Sequence, residues 1–106
     1  MSIDVSAFPE HEFTLHGSFR AKPGRGDELE EYLRHLVRLV KSEPGTIFYQ
    51  VARDQKDRLK FLIFETYAGR AAFQTHLDSQ EFQNLWNSNV LDGALEPSLF
   101  VAMESA

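Results

Sequence analysis

The chain has 106 residues, a net charge of −5 and no cysteine, which fits one domain with one modest core and excludes a disulfide framework or a thiol nucleophile. Lys and Arg are scattered rather than clustered, so no phosphate-reading surface and no nucleic-acid partner are expected. No apolar run approaches the roughly 20 residues of a membrane span, and residues 1–11 have neither a basic start nor an apolar signal core, so the expectation is a cytoplasmic protein without a membrane partner.

Residues 1–11 contain Pro9 and no periodicity; they read as a flexible N-terminal arm, free to order against a partner chain, ahead of a single domain over 12–106. Residues 12–21 alternate, with Phe13, Leu15, Gly17 and Phe19 on one side, which predicts a half-buried first strand. Gly17 in mid-strand suggests a bulge, or else the close approach of a ligand or another backbone. The turn at 22–27 lacks the third glycine of a dinucleotide fingerprint. Asp27 is the expected N-cap of a helix carrying Leu29, Tyr32, Leu33, Leu36, Val37 and Val40 at helical spacing. Its charged face, with Glu30 four residues before Arg34, reads as solvated, and His35 lies there too. Glu43-Pro44-Gly45 stops the helix.

A second strand is predicted over 46–53, with Ile47, Tyr49 and Val51 on one side and Phe48, Gln50 and Ala52 on the other. After a charged hairpin at 54–57 comes a third strand over 59–67. Gly69 leads into a short helix presenting Ala72, Phe73, His76 and Leu77. Asp78-Ser79 break it and cap a further helix with Phe82, Leu85, Trp86 and, at its end, Val90 on one stripe. Pro97 opens a fourth strand over 98–104.

The order β-α-β-β-α-β is the ferredoxin-like split βαβ: an α+β fold with an antiparallel sheet and helices on one face. Helices cover one face only, yet strands two, three and four carry large apolar residues on both. An antiparallel sheet with one wet face alternates apolar and polar residues. A second copy is therefore expected on the uncovered face, as a homodimer.

Glu65 and Tyr67 share one face at the end of the third strand, and His76 lies on the helix that follows. An acid, a phenol and an imidazole thus meet at one corner, where any chemistry is expected. Each also has a structural explanation. His76 is a core histidine, Glu65 accepts from the next helix N-terminus, and Tyr67 sits at the core edge with its hydroxyl in water. His11 and His16 are five apart, on opposite strand faces, so no metal pair is expected.

Arg20-Ala21-Lys22-Pro23-Gly24, Glu43-Pro44-Gly45-Thr46, Phe61 to Tyr67 ending in Glu65-Thr66-Tyr67, and His76-Leu77 occur in this order. The set resembles the antibiotic biosynthesis monooxygenase (ABM) domain family of the dimeric α+β barrels, and within it the quinol-monooxygenase-like proteins. The resemblance implies a homodimeric, cofactor-independent oxidoreductase that oxidises a small quinol, polyphenol or anthrone-like substrate with O2. On that reading His76 is the base, Glu65 orients it or stabilises its charge, and Tyr67 donates to the developing oxyanion. Phe61, Phe73, Phe82, Trp86 and Tyr49 are candidate substrate-binding residues, and Phe48 and Phe64 are candidate walls that strand parity sets on another face. The branch that degrades haem uses Asn, Trp and His. Here Gly17 and Tyr67 stand near the first two places, which argues against haem degradation. The corner is also similar to that of autoinducer-2-processing isomerases, which act on a sugar-like phosphate; for that chemistry Arg20, Lys60 or Arg70 must supply the cation. A non-catalytic dimeric ligand-binding module is the third reading.

Overall fold

The alternation of apolar side chains along the strands builds the sheet. The computed structural model describes residues 3–93, 95 and 97–103. The elements are β1 (Phe13–Ala21), α1 (Gly26–Leu39) extended by a 3-10 turn (Val40–Ser42), β2 (Thr46–Arg53), β3 (Lys60–Tyr67), α2 (Arg70–Leu77), α3 (Gln80–Asn87), β4 (Leu91–Asp92) and β5 (Ser98–Phe100). The sheet is antiparallel throughout, in the order β2-β3-β1, with β4 and β5 both pairing with β1. This is the α+β, ferredoxin-like architecture that the element order predicts.

Along β3, Phe61, Glu65 and Tyr67 are buried, while Lys60 and Phe64 are exposed. Opposite them in register stand Phe19, Leu15 and Phe13 of β1. Onto this face α1 places Leu29, Leu33 and Leu36, α2 places Phe73 and Leu77, and α3 places Phe82 and Leu85, all in one buried cluster. Each such side chain contributes about 1.5–3 kcal/mol by leaving water. Ser79 caps α3, its hydroxyl accepting from the Phe82 amide at 3.1 Å, as the Asp78-Ser79 break implies.

Four local expectations change. The pairing of β1 with β3 runs through Gly17↔Ile63 without interruption, so Gly17 is not a bulge. The irregularity lies in β2, between Thr46 and Phe48; it turns Ile47 outward, 54% exposed, rather than beside Tyr49 and Val51. Helix α1 begins at Gly26, and Asp27 does not cap it. Its carboxylate instead accepts from Arg53 at 2.8 Å. The fourth strand is two short pieces. Gly93 adopts a left-handed φ of 92° after β4, and β5 begins only after Pro97. Beyond Phe100, which pairs with Thr14, β1 has one residue left to offer, so 101–103 are unpaired; Glu104 lies outside the described residues.

The sheet's outer face carries Phe48 (50% exposed), Phe64 and Phe100. His16 packs its ring 4.5 Å from that of Phe64. Thr14 and Thr66 share a hydrogen bond between them at 2.8 Å. Among the described residues no helix is long and apolar enough to cross a membrane.

Candidate active site

The turn between α1 and β2 brings in the group that organises the site. Pro44 and Gly45 end the helix, and Gly45 lies so close to α2 that a Cβ on it would sit 2.4 Å from the Ala72 Cβ. This close approach, together with the Ala68 amide donating to the Gly45 carbonyl at 2.9 Å, presses the turn onto α2. Glu43 is thereby placed beside His76, and its Oε1 lies 2.9 Å from Nδ1. Thr46 Oγ1 donates to the same oxygen at 3.1 Å. A carboxylate only accepts, so Nδ1 carries the ring proton and Nε2 the lone pair.

His76 is 1% exposed. Its Nε2 lies 3.9 Å from Glu65 Oε1, beyond hydrogen-bond distance. Among the described residues Nε2 has no hydrogen-bond partner, and His76 lines the neighbouring cavity. Glu65 Oε1 accepts from the Tyr67 hydroxyl in a short hydrogen bond. Burial pushes the Glu65 carboxyl above its ordinary value of 4.5 and outweighs the opposing Tyr67 hydrogen bond and His76. Tyr67, wholly buried, is raised by burial and by the Glu65 charge. Tyr49 is raised for the same reasons. Both phenols therefore stay protonated. The rings of Tyr49, Tyr67 and Phe82 surround the imidazole with centroids at 5.2, 5.7 and 6.1 Å.

A cavity of about 410 Å³ opens between the helices and the sheet, with His76, Glu65 and Tyr49 on its wall. Phe73, Phe82 and Leu15 supply apolar lining. The stretch of β1 from Gly17 to Phe19, which neither β4 nor β5 pairs among the described residues, also lines it. Gly17 is itself one of the lining residues. With no bulge at Gly17, the reading that remains is the close approach of a ligand or another backbone.

The structure brings His76, Glu65 and Tyr67 together, as the corner predicts, but distributes them differently. Tyr67 does not reach the cavity; it stands behind Glu65 and holds it, with no contact to water. Glu65 takes that phenol rather than a helix N-terminus. Of the candidate ring walls, Tyr49, Phe73 and Phe82 line the cavity. Phe61 is buried away from it, stacked with Phe19 under the Arg53 guanidinium, and Trp86 stacks on Phe82 from outside. Phe48 and Phe64 are on the outer face. Glu43 is the residue that sequence reasoning misses, because it reads as part of a helix stop. Among the described residues no group of three His, Cys, Asp or Glu is placed to hold a metal ion.

Fold and site together define a small α+β protein with a largely apolar cavity and a carboxylate-held imidazole on its wall. The family model described as antibiotic biosynthesis monooxygenase matches residues 12–86, and the chain belongs to that family. It is 30% identical over 66 residues to the uncharacterized protein sll1783 of Synechocystis sp., a match covering 62% of this chain and 45% of that protein. The match thus spans less than half of that relative's length. In structure the chain is similar to PA3566 from Pseudomonas aeruginosa, with a TM-score of 0.79 and 25% identity, over 89% of this chain and 96% of that one. It is also similar in fold to a chain whose crystal structure is titled antibiotic biosynthesis monooxygenase, with a TM-score of 0.77 and 24% identity, over 87% and 99% of the two chains.

The raised Glu65 value has a consequence for stability. A carboxyl that holds its proton more tightly when folded stabilises the fold fully below 4.5, and that contribution is lost as pH rises through the folded value. Relative to Glu65→Gln, which cannot ionise but still accepts from Tyr67, the wild-type melting temperature is expected to fall progressively as pH rises from 4.5. Parallel stability–pH curves for the two proteins would contradict the buried, raised carboxyl.

Proposed function

We propose that the protein is a cofactor-independent monooxygenase acting with O2 on a small electron-rich aromatic of the quinol, polyphenol or anthrone kind. The observation that carries this reading is His76 on the wall of an apolar cavity with its Nδ1 2.9 Å from Glu43 Oε1, which leaves Nε2 to act as the base. Nε2 takes a proton from a phenolic O–H or an activated C–H of the substrate. The resulting imidazolium is stabilised by Glu43 on one side and faces Glu65 on the other. The substrate anion, held among Phe73, Phe82 and Tyr49 away from water, is electron-rich enough to react with O2. One oxygen atom enters the substrate as a new C–O bond and the other leaves as water with two substrate hydrogens. The substrate thus supplies every electron that reduces O2.

The competing readings fare less well. Sugar-phosphate isomerisation needs a cation beside the phosphate. Arg20 pairs with Asp57, Arg70 holds the N-terminal arm, Lys60 points to the outer face, and no Lys or Arg is among the described lining residues. A purely structural His76 has no use for a cavity beside Nε2. Oxygen uptake with a panel of quinols and anthrones tests the proposal. His76→Ala is expected to lower kcat about 10²–10⁴-fold, the usual contribution of a general base, with the protein still folded. Uptake at the background rate across the panel, or equal uptake by His76→Ala, counts against it.

We also propose that a second copy covers the outer sheet face. Phe48, Phe64 and Phe100, all more than a third exposed on that face, support this. Sedimentation at micromolar concentration is expected to give a dimer, and Phe64→Asp a monomer. A wild-type monomer at that concentration sinks the idea.

A further inference from the structure

Residues 3–9 do not hang free. Ile3, Val5 and Phe8 pack against the core, and Ile3, Asp4, Ala7 and Phe8 line the cavity. The Phe8 ring lies 5.6 Å from that of Phe13 and 5.1 Å from that of Phe73. Among the described residues no β-pairing fastens this stretch. Its internal bonds, Phe8 N to Val5 O at 3.0 Å and Ser6 N to Asp4 Oδ1 at 2.9 Å, hold its own shape. Among the described residues, its hydrogen bonds to the rest of the chain come from Arg70 alone. Arg70 Nε donates to the Phe8 carbonyl at 2.8 Å, and the Arg70 amide donates to the Pro9 carbonyl at 2.9 Å. Glu10, 3.7 Å from the same guanidinium, adds an exposed ion pair.

The neighbouring residue makes this fastening possible. A Cβ on Gly69 would sit 2.2 Å from the Glu10 carbonyl oxygen, so only glycine lets the arm lie down on the start of α2. Every other part of the cavity wall belongs to a strand, a helix or the segment between β4 and β5. Strands and helices are tied by continuous ladders. The arm is tied at one point and covers apolar lining.

We infer that residues 3–9 are the removable wall of the cavity, latched at Gly69 and Arg70, and that they set how tightly an apolar ligand is held and how fast it leaves. Opening needs two adjacent hydrogen bonds to break and Ile3, Val5 and Phe8 to leave the core, while the sheet and the Glu43–His76 pair stay in place. The inference concerns any occupant of the cavity and does not rest on the oxygenase reading.

N-phenyl-1-naphthylamine, a neutral apolar dye that brightens when it leaves water, tests this on the full chain without turnover. Its dissociation from wild type, Gly69→Ala, Arg70→Ala and Phe8→Ala is followed by stopped flow. Arg70 amide exchange reports whether the latch is open. Gly69→Ala and Arg70→Ala are expected to release the dye about tenfold faster, since lost contacts act mainly on the off-rate. Gly69→Ala should also expose the Arg70 amide to exchange. Phe8→Ala, which leaves the latch intact, should weaken dye binding while that amide stays protected, and so separates lost wall from lost fold. Variants that release the dye at the wild-type rate, or a wild type that binds no dye, would overturn the inference. A protein that binds and gates the dye yet consumes no O2 removes the oxygenase reading and leaves this one standing.

Discussion

One buried hydrogen bond, from His76 Nδ1 to Glu43 Oε1 at 2.9 Å, ties the rest of the site together. It joins the turn after α1 to the last turn of α2, between side chains that are 10% and 2% exposed. Isolated, either group would be expensive to bury. Together, with Thr46 and the Gly45–Ala72 contact holding the turn, they fix both the ring's orientation and its tautomer. Loss of one partner would leave the other buried and unsatisfied, which costs more than the bond contributes. The pair is therefore structural, and on the proposed reading it is chemical too.

Around that pair the charge is arranged in layers. Glu65 faces the free nitrogen but does not bond to it at rest. Tyr67, locked protonated by burial, holds Glu65 from behind. The apolar cavity in front supplies the low dielectric in which charge interactions are strong. Gly17, Ser18 and Phe19, on the stretch of β1 that neither β4 nor β5 pairs among the described residues, line that cavity.

Much of this was legible in the chain. Period-two alternation locates β1, β2 and β3 to within a residue or so, and helical spacing locates α1, α2 and α3. These patterns are written in side chains that meet water or the core. The shared face of Glu65 and Tyr67 follows from the same parity. Other features are not local. Nothing in Glu43-Pro44-Gly45 says which element the turn will press against, so Glu43 reads as punctuation; only the missing Cβ of Gly45 hints at a close approach. The position of Phe61 depends on register rather than parity, since it shares the inner face with Glu65 but lies four residues from the cavity end. The early end of the last strand follows from where β1 begins, and the docking of the arm from a glycine sixty residues away. Asp27 reads as a cap because local propensity favours it there, but Arg53 competes for its carboxylate.

The most direct test of the account is the protonation pattern of the His76 ring. Two-bond proton–nitrogen correlations on uniformly 15N-labelled protein, at a pH where the imidazole is neutral, distinguish the two nitrogens. The account predicts Nδ1 protonated and Nε2 bare, in contrast to the tautomer mixture of an exposed ring such as His35. A proton on Nε2, or a mixture at His76, would contradict it, because the Glu43 carboxylate could not then be holding the ring in the form that presents a base to the cavity.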